Sequence, residues 1–347
     1  MDDFNKFMDN YLSHDSELVQ SIQEYHNLLI GDSLISEAID EPIPLSSVLD
    51  WFHQFIDASI DIGHTLQAGE DMGNIYLTTK ELIEIIKEDL DLYIGVRELS
   101  PGRQRSQSDE GPYALKTIHS KSGIFSAIVW RVVTYSTMFS REWPMVFSNP
   151  EHAKEIIKTA REIDDRAYED EYFCWSSAYS NCINQRRMEV IDQAWSWLGE
   201  SSDEWLALES LNPTFLHCYD FFQPPEMHSG RFPTLGKYCT FQLICDLHYA
   251  GVCQAPTFDD LARHIVDCNR TSLNTLRKLG VVTESGQGNS QKARILAVRE
   301  GIQQVQKHLN SVIRASSSEI LSSDWIGIKH LLTSFRQLIS QRRICGI

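Results

Sequence analysis

A mainly helical protein carrying one small two-stranded hairpin in its last third is the fold class this sequence predicts. Three observations carry that expectation. Apolar residues recur at three- and four-residue spacing over most of the chain, and helix-start signatures punctuate it repeatedly. Once, at residues 281–298, β-branched and alternating residues flank a Gly-rich tip, as in a hairpin.

Taken in order, residues 46–66 and 78–92 have the pattern of amphipathic helices, the second opening on a Thr78-to-Glu81 capping-box spacing. Residues 98–112 (ELSPGRQRSQSDEGP) mix Pro, Gly, Ser and charge, and read as an exposed loop. Residues 113–147 are rich in β-branched and aromatic side chains, and helix is preferred over strand. Ser148, Asn149, Pro150 and Glu151 mark a helix start, continued by a stripe of Ile156, Ala160, Ile163, Ala167 and Cys174. Further helices are expected at 187–198 and 202–211. A Pro/Gly-rich break ending at Pro233 then divides an acidic helical domain, 1–229, from a second domain, 230–347.

Composition narrows the function classes. The 347 residues are 42% hydrophobic and 23% charged, which suits an ordered soluble protein with a sizeable core. Eight scattered cysteines in apolar surroundings read as reduced thiols. The N-terminus has no basic start followed by an apolar run, and the longest apolar stretch is broken by Arg131. A cytoplasmic protein without membrane contact is expected. The net charge of −17 is unevenly distributed: residues 270–347 hold twelve basic against four acidic side chains, +8, and residues 1–269 hold 19 against 44, −25. An acidic body joined to a cationic tail suggests a tail that meets phosphates.

In the second domain, residues 234–251 read as a helix with Leu235, Tyr238, Phe241, Ile244 and Cys245 on one face. Thr257 and Asp260 have capping spacing for a helix ending near Asn269, and residues 270–279 form another, closed by Gly280. Leu273, Leu276 and Leu279 are expected inside. Arg270, Thr271, Ser272, Asn274, Thr275, Arg277 and Lys278 are expected outside. The hairpin follows, with Gln287 and Asn289 near its tip and Lys292 and Arg294 on its return. Two amphipathic helices close the chain, one from Glu300-Gly301 and one through Trp325, Ile328, Leu331, Phe335 and Leu338.

A helix presenting small hydrogen-bonding side chains beside a flanking hairpin is the winged helix-turn-helix arrangement, in which the helix enters the major groove and cations meet phosphates. Thr271, Ser272, Asn274 and Thr275 are then candidates for base edges. Arg270, Arg277, Lys278, Gln287, Asn289, Lys292 and Arg294 complete the expected DNA contact set. The order of these elements, with Leu261-Ala262 and Ile265, Gly280-Val281-Val282, Thr283-Glu284-Ser285-Gly286 and the AVREG stretch at 297–301, resembles the MarR-like family of bacterial transcriptional regulators. The resemblance covers about a third of the chain. It departs from the family at the wing, where Asn289-Ser-Gln291-Lys292 replaces Asp-x-Arg.

Other constellations have plainer readings. Cys245 with His248 and His264 with Cys268 have zinc-like spacing but lie on helices whose apolar faces account for them. Glu162, Asp164, Asp165, Glu169, Asp170 and Glu171 read as a solvated charge run, and Trp175, Trp195, Trp197 and Trp205 as core more readily than as a ligand pocket. No phosphate loop or nucleophile-histidine-acid grouping is evident. The expectation is therefore a non-catalytic, homodimeric regulator binding double-stranded DNA without cofactor or metal, with a small-molecule or protein effector at its N-terminal domain. The alternative is an adaptor that uses both domains for protein contacts.

Overall fold

The structure, a computed structural model, describes residues 45–69, 80–134, 137–163, 186–224, 235–282, 290–312 and 325–342. From Val48 onward these belong to one compact unit, Val48–Ile347. Helices α1 (Leu45–Ala68), α2 (Lys80–Glu88) and α3 (Leu90–Tyr93) lead into a 3₁₀ turn (Arg97–Leu99) and α4 (Pro101–Gln107). Then come α5 (Leu115–Ile118), α6 (Lys121–Val129), a π turn (Trp130–Thr134), α7 (Met138–Glu142), α8 (Pro150–Ile163) and α9 (Arg186–Glu209). The rest is α10 (Phe215–Phe222), α11 (Lys237–Tyr249), α12 (Phe258–Cys268), α13 (Arg270–Lys278), α14 (Gln291–Val312) and α15 (Trp325–Arg342). No described helix is long and apolar enough to cross a membrane.

The mainly helical expectation holds, but the hairpin does not: there is no strand among the described residues. The tip, 283–289, with Gln287 and Asn289, lies outside them. The expected return strand is the first two turns of α14, where Ser290 Oγ accepts the Ala293 N–H at 3.3 Å and so caps the helix. The alternation at 293–298 is overridden by a longer period. Val298, Ile302, Val305 and Leu309 are all buried at helical spacing, so the stripe begins well before Gly301. Gly301 starts nothing. It is where α14 passes close to the chain after α13, and an added Cβ there would lie 2.7 Å from Val282 Cγ2.

Residues 98–112 also differ from expectation. Their middle part, Pro101–Gln107, folds into α4, with Pro101 at the first helical position and Ser100 Oγ capping the Arg103 N–H at 3.3 Å. Gly102, Arg103 and Ser106 point inwards. On α8, Asn149 Oδ1 caps the His152 N–H at 2.9 Å, as the start signature implies. Its buried stripe, however, is Ala153, Ile157 and Ala160, with Ile163 exposed. The stretches 187–198 and 202–211 fall on the single helix α9.

α15 is the hub. It packs on α13, α3 and the 3₁₀ turn, and its Phe335 meets Phe52 and Phe55 of α1 at ring distances of 5.0 and 5.5 Å. Ile328, Leu331, Phe335 and Leu338 are buried, so the apolar faces of the last two helices are covered within the chain itself. α12 lies against α14, and its Thr257 start is a full capping box. α13 ends in a Schellman motif: Gly280 sits at φ +68°, its N–H bonds Arg277 O at 2.9 Å, and the Val281 N–H reaches Leu276 O at 3.1 Å.

Candidate anion-binding cleft

The site starts from a carboxylate in an apolar helix. Asp246 on α11 lies among Leu243, Ile244, Cys245 and Leu247, and all five are buried. An ionised carboxylate there requires partners. Oδ1 pairs with Arg97 Nη2 and with Arg103 Nη1 at 3.2 Å, and Oδ2 with Arg131 Nη2. The Tyr113 hydroxyl donates to Oδ2 at 3.2 Å, and burial pushes its acidity down, keeping that proton in place. The 3₁₀ turn supplies Arg97, α4 supplies Arg103, and the π turn supplies Arg131. Over-wound or under-wound turns of this kind recur where a side chain is redirected for function. Arg103 also pairs with Glu98 at 3.2 Å, and Asp91 accepts the Gly102 N–H at 2.7 Å.

One side of this cluster faces a cleft of about 1010 Å³ between α11, α12, α13 and α15. Its floor holds Arg97, Arg131 and Lys329, and Arg270, Arg277 and Arg294 stand around it, against the two carboxylates Asp91 and Asp267. Lys329 is 3% exposed and lies over the Tyr238 and Phe241 rings at 5.1 and 5.4 Å. Burial, seconded by Arg97 and Arg131, lowers its ammonium to about 7, although Cys245 and Cys268 nearby act the other way. His330 is held neutral by burial and by Arg97 and Lys329, at about 3; in the tautomer with Nε2 protonated, it donates to Ile94 O at 3.1 Å. Both Nη atoms of Arg97 are buried without a well-directed hydrogen bond among the described residues.

Of the residues singled out for DNA contact, Arg270, Thr271, Asn274, Arg277 and Arg294 line this cleft. Ser272 and Thr275 do not face outwards. They are buried against α15, with Ser272 Oγ 3.0 Å from Thr333 Oγ1 and Thr275 Oγ1 donating to Leu332 O at 2.9 Å. Their role is to seat α13, because a small hydroxyl fits close helix packing as readily as it fits a base edge. Lys278 is half-buried, its ammonium lowered by burial and Arg336. Lys292 is exposed on α14, away from the cleft lining.

The floor residues Arg97, Arg131, Asp246 and Lys329 had no sequence signal in common. They are separated by up to 232 residues, and each interrupts a largely apolar stretch. Such interrupted runs are the only hint, since a lone charge in a buried helix needs a partner.

A second cavity of about 310 Å³, between α10, α11 and α12, is lined by Phe215, Tyr219, Phe241 and His264. Cys268 borders both cavities, its Sγ 3.0 Å from His264 Nδ1. Burial raises this thiol to about 12 and lowers the imidazole well below its usual range, so at neutral pH the pair is a neutral thiol beside a neutral ring. His248 Nδ1 is instead 2.9 Å from Cys253 O. Among the described residues no three metal-ligating side chains converge. Trp205 is core, Trp195 packs edge-on to Phe125, and of the acidic run only Glu162 is described. No protein-family model, curated protein or solved structure matches the chain.

Proposed function

We propose that the chain is a binding protein for a phosphate-bearing small molecule, held in the cleft between α11, α12, α13 and α15. One observation carries the reading: six cationic side chains and two carboxylates line a single concavity at the upper end of small-ligand pocket volumes, ~300–1000 Å³. Asn269, Thr271, Asn274, Gln242 and Gln337 add uncharged hydrogen-bonding groups to the same walls. Arginine is suited to this task because its planar fork matches phosphate oxygens.

The test is calorimetric titration of the full chain with ATP and with inorganic tripolyphosphate at low and moderate salt. Binding is expected, weakening as salt rises. Replacing Arg270, Arg277 and Arg294 together by Gln is expected to raise Kd at least tenfold. Absence of binding to either probe at low salt overturns the reading.

Duplex DNA binding is a second reading, favoured by the exposure of Arg270 and Lys292 within the cationic last stretch of the chain. It would operate through backbone phosphates, since Ser272 and Thr275 are turned away from any groove. A steep salt dependence for a duplex of random sequence, together with no affinity for ATP, would select it over the first.

A further inference from the structure

The buried charges around the cleft floor form an unbalanced set. Around Asp246 and the cleft floor, the ionisable residues less than a tenth exposed are Arg97, Arg103, Arg131 and Lys329 against Asp91 and Asp246, and Lys329 holds its proton only in part near pH 7. His264 is neutral. With Lys329 protonated the surplus is two positive charges, and the half-buried Glu98 offsets only part of it through Arg103. A protein interior tolerates such a surplus only if a counter-charge enters or a group loses its proton. Lys329 is the group placed to yield, as no carboxylate of the described residues lies within ion-pairing range of it.

We propose that the floor of the cleft, formed by Arg97, Arg131 and Lys329, is a subsite for one terminal phosphate, the dianionic monoester group of the ligand. This rests on the anion-binding reading of the cleft and specifies which end of the ligand enters first. A monoester carries about −1.5 to −2 charges and three free oxygens, which matches the surplus and three cations arriving from three separate elements. A diester carries one charge and two free oxygens, and matches neither the surplus nor the number of cations. The remaining part of a monoester leaves towards Arg270, Arg277 and Arg294. The ring faces of Tyr238 and Phe241 lie by the Lys329 ammonium and favour its charged form without supplying a counter-charge.

The smallest probes test the floor alone. Inorganic phosphate and phenyl phosphate, titrated into the full chain in chloride buffer, are expected to bind at least tenfold more tightly than dimethyl phosphate, a diester monoanion. Lys329→Met keeps the volume and removes a buried charge, so the variant is expected to fold and to lose at least tenfold in phosphate affinity. Lys292→Gln, an exposed cation of α14 outside the cleft lining, is expected to leave inorganic phosphate within twofold of the parent. Equal affinity for phosphate and dimethyl phosphate, or an unchanged affinity in Lys329→Met, overturns the subsite even where ATP binds in the arginine-dependent way. If ATP, tripolyphosphate and phosphate all fail to bind, the cleft reading falls, and the subsite with it.

Discussion

Asp246 is the residue on which the most charge depends. Four side chains converge on its two oxygens, and three of them are guanidinium groups at most 6% exposed. Replacing it by Asn keeps the shape and removes the counter-charge. Breaking a buried ion pair from one side costs about 3–5 kcal/mol, and Asp246→Asn is expected to lose about that much in chemical denaturation followed by circular dichroism. The histidines near the same cluster set a pH dependence. His330 and His264 are both held below the ordinary imidazole value by burial first, then by Arg97 and Lys329 for His330 and by Lys329 for His264. The unfolded chain therefore takes up these protons before the folded one. The contribution of His330 is full above about pH 6.5 and falls as pH drops from there towards 3, by about 1–2 kcal/mol at pH 5, and His264 acts in the same direction. Urea midpoints at pH 7 and pH 5 should show the loss, and His330→Gln, which keeps a donor to Ile94 O, should make it smaller.

At the scale of elements, local chemistry was the most readable part of the chain. The Thr257 capping box, the Gly280 terminus and the Asn149 cap each follow from two or three neighbouring residues, and each is present. Thr257→Ala is expected to cost about 1 kcal/mol, read as a shift of the urea midpoint without a change in slope. Where two periods competed, the sequence misled. The stretch 293–298 alternates like a strand, but its Val298 belongs to an apolar stripe of three helical turns, and burial of that stripe decides the outcome. The α4 segment illustrates the converse error. Its composition is that of a loop, while Ser100-Pro101 is a cap followed by a helix-favouring proline, and the tertiary partners of Arg103 and Gly102 secure the turn.

Over the whole molecule, the division of charge was legible and its destination was not. The cationic stretch beginning at Arg270 does gather arginines around one place, yet three of the eight charged side chains lining the cleft, Asp91, Arg97 and Arg131, come from far upstream. Nothing in the linear spacing of residues 97, 131, 246 and 329 announces that they meet, because their proximity is a product of packing around α15. The contacts of Asp246 run back 115 residues to Arg131 and further to Arg97. Severing the polypeptide between residues 229 and 230 would give one piece holding three guanidinium groups without their acid and another holding the acid with no base to answer it. Expressed singly, both pieces are expected to stay unfolded by circular dichroism. Co-expressed, they should recover helicity together, since the electrostatic knot that closes the molecule can be tied only by both.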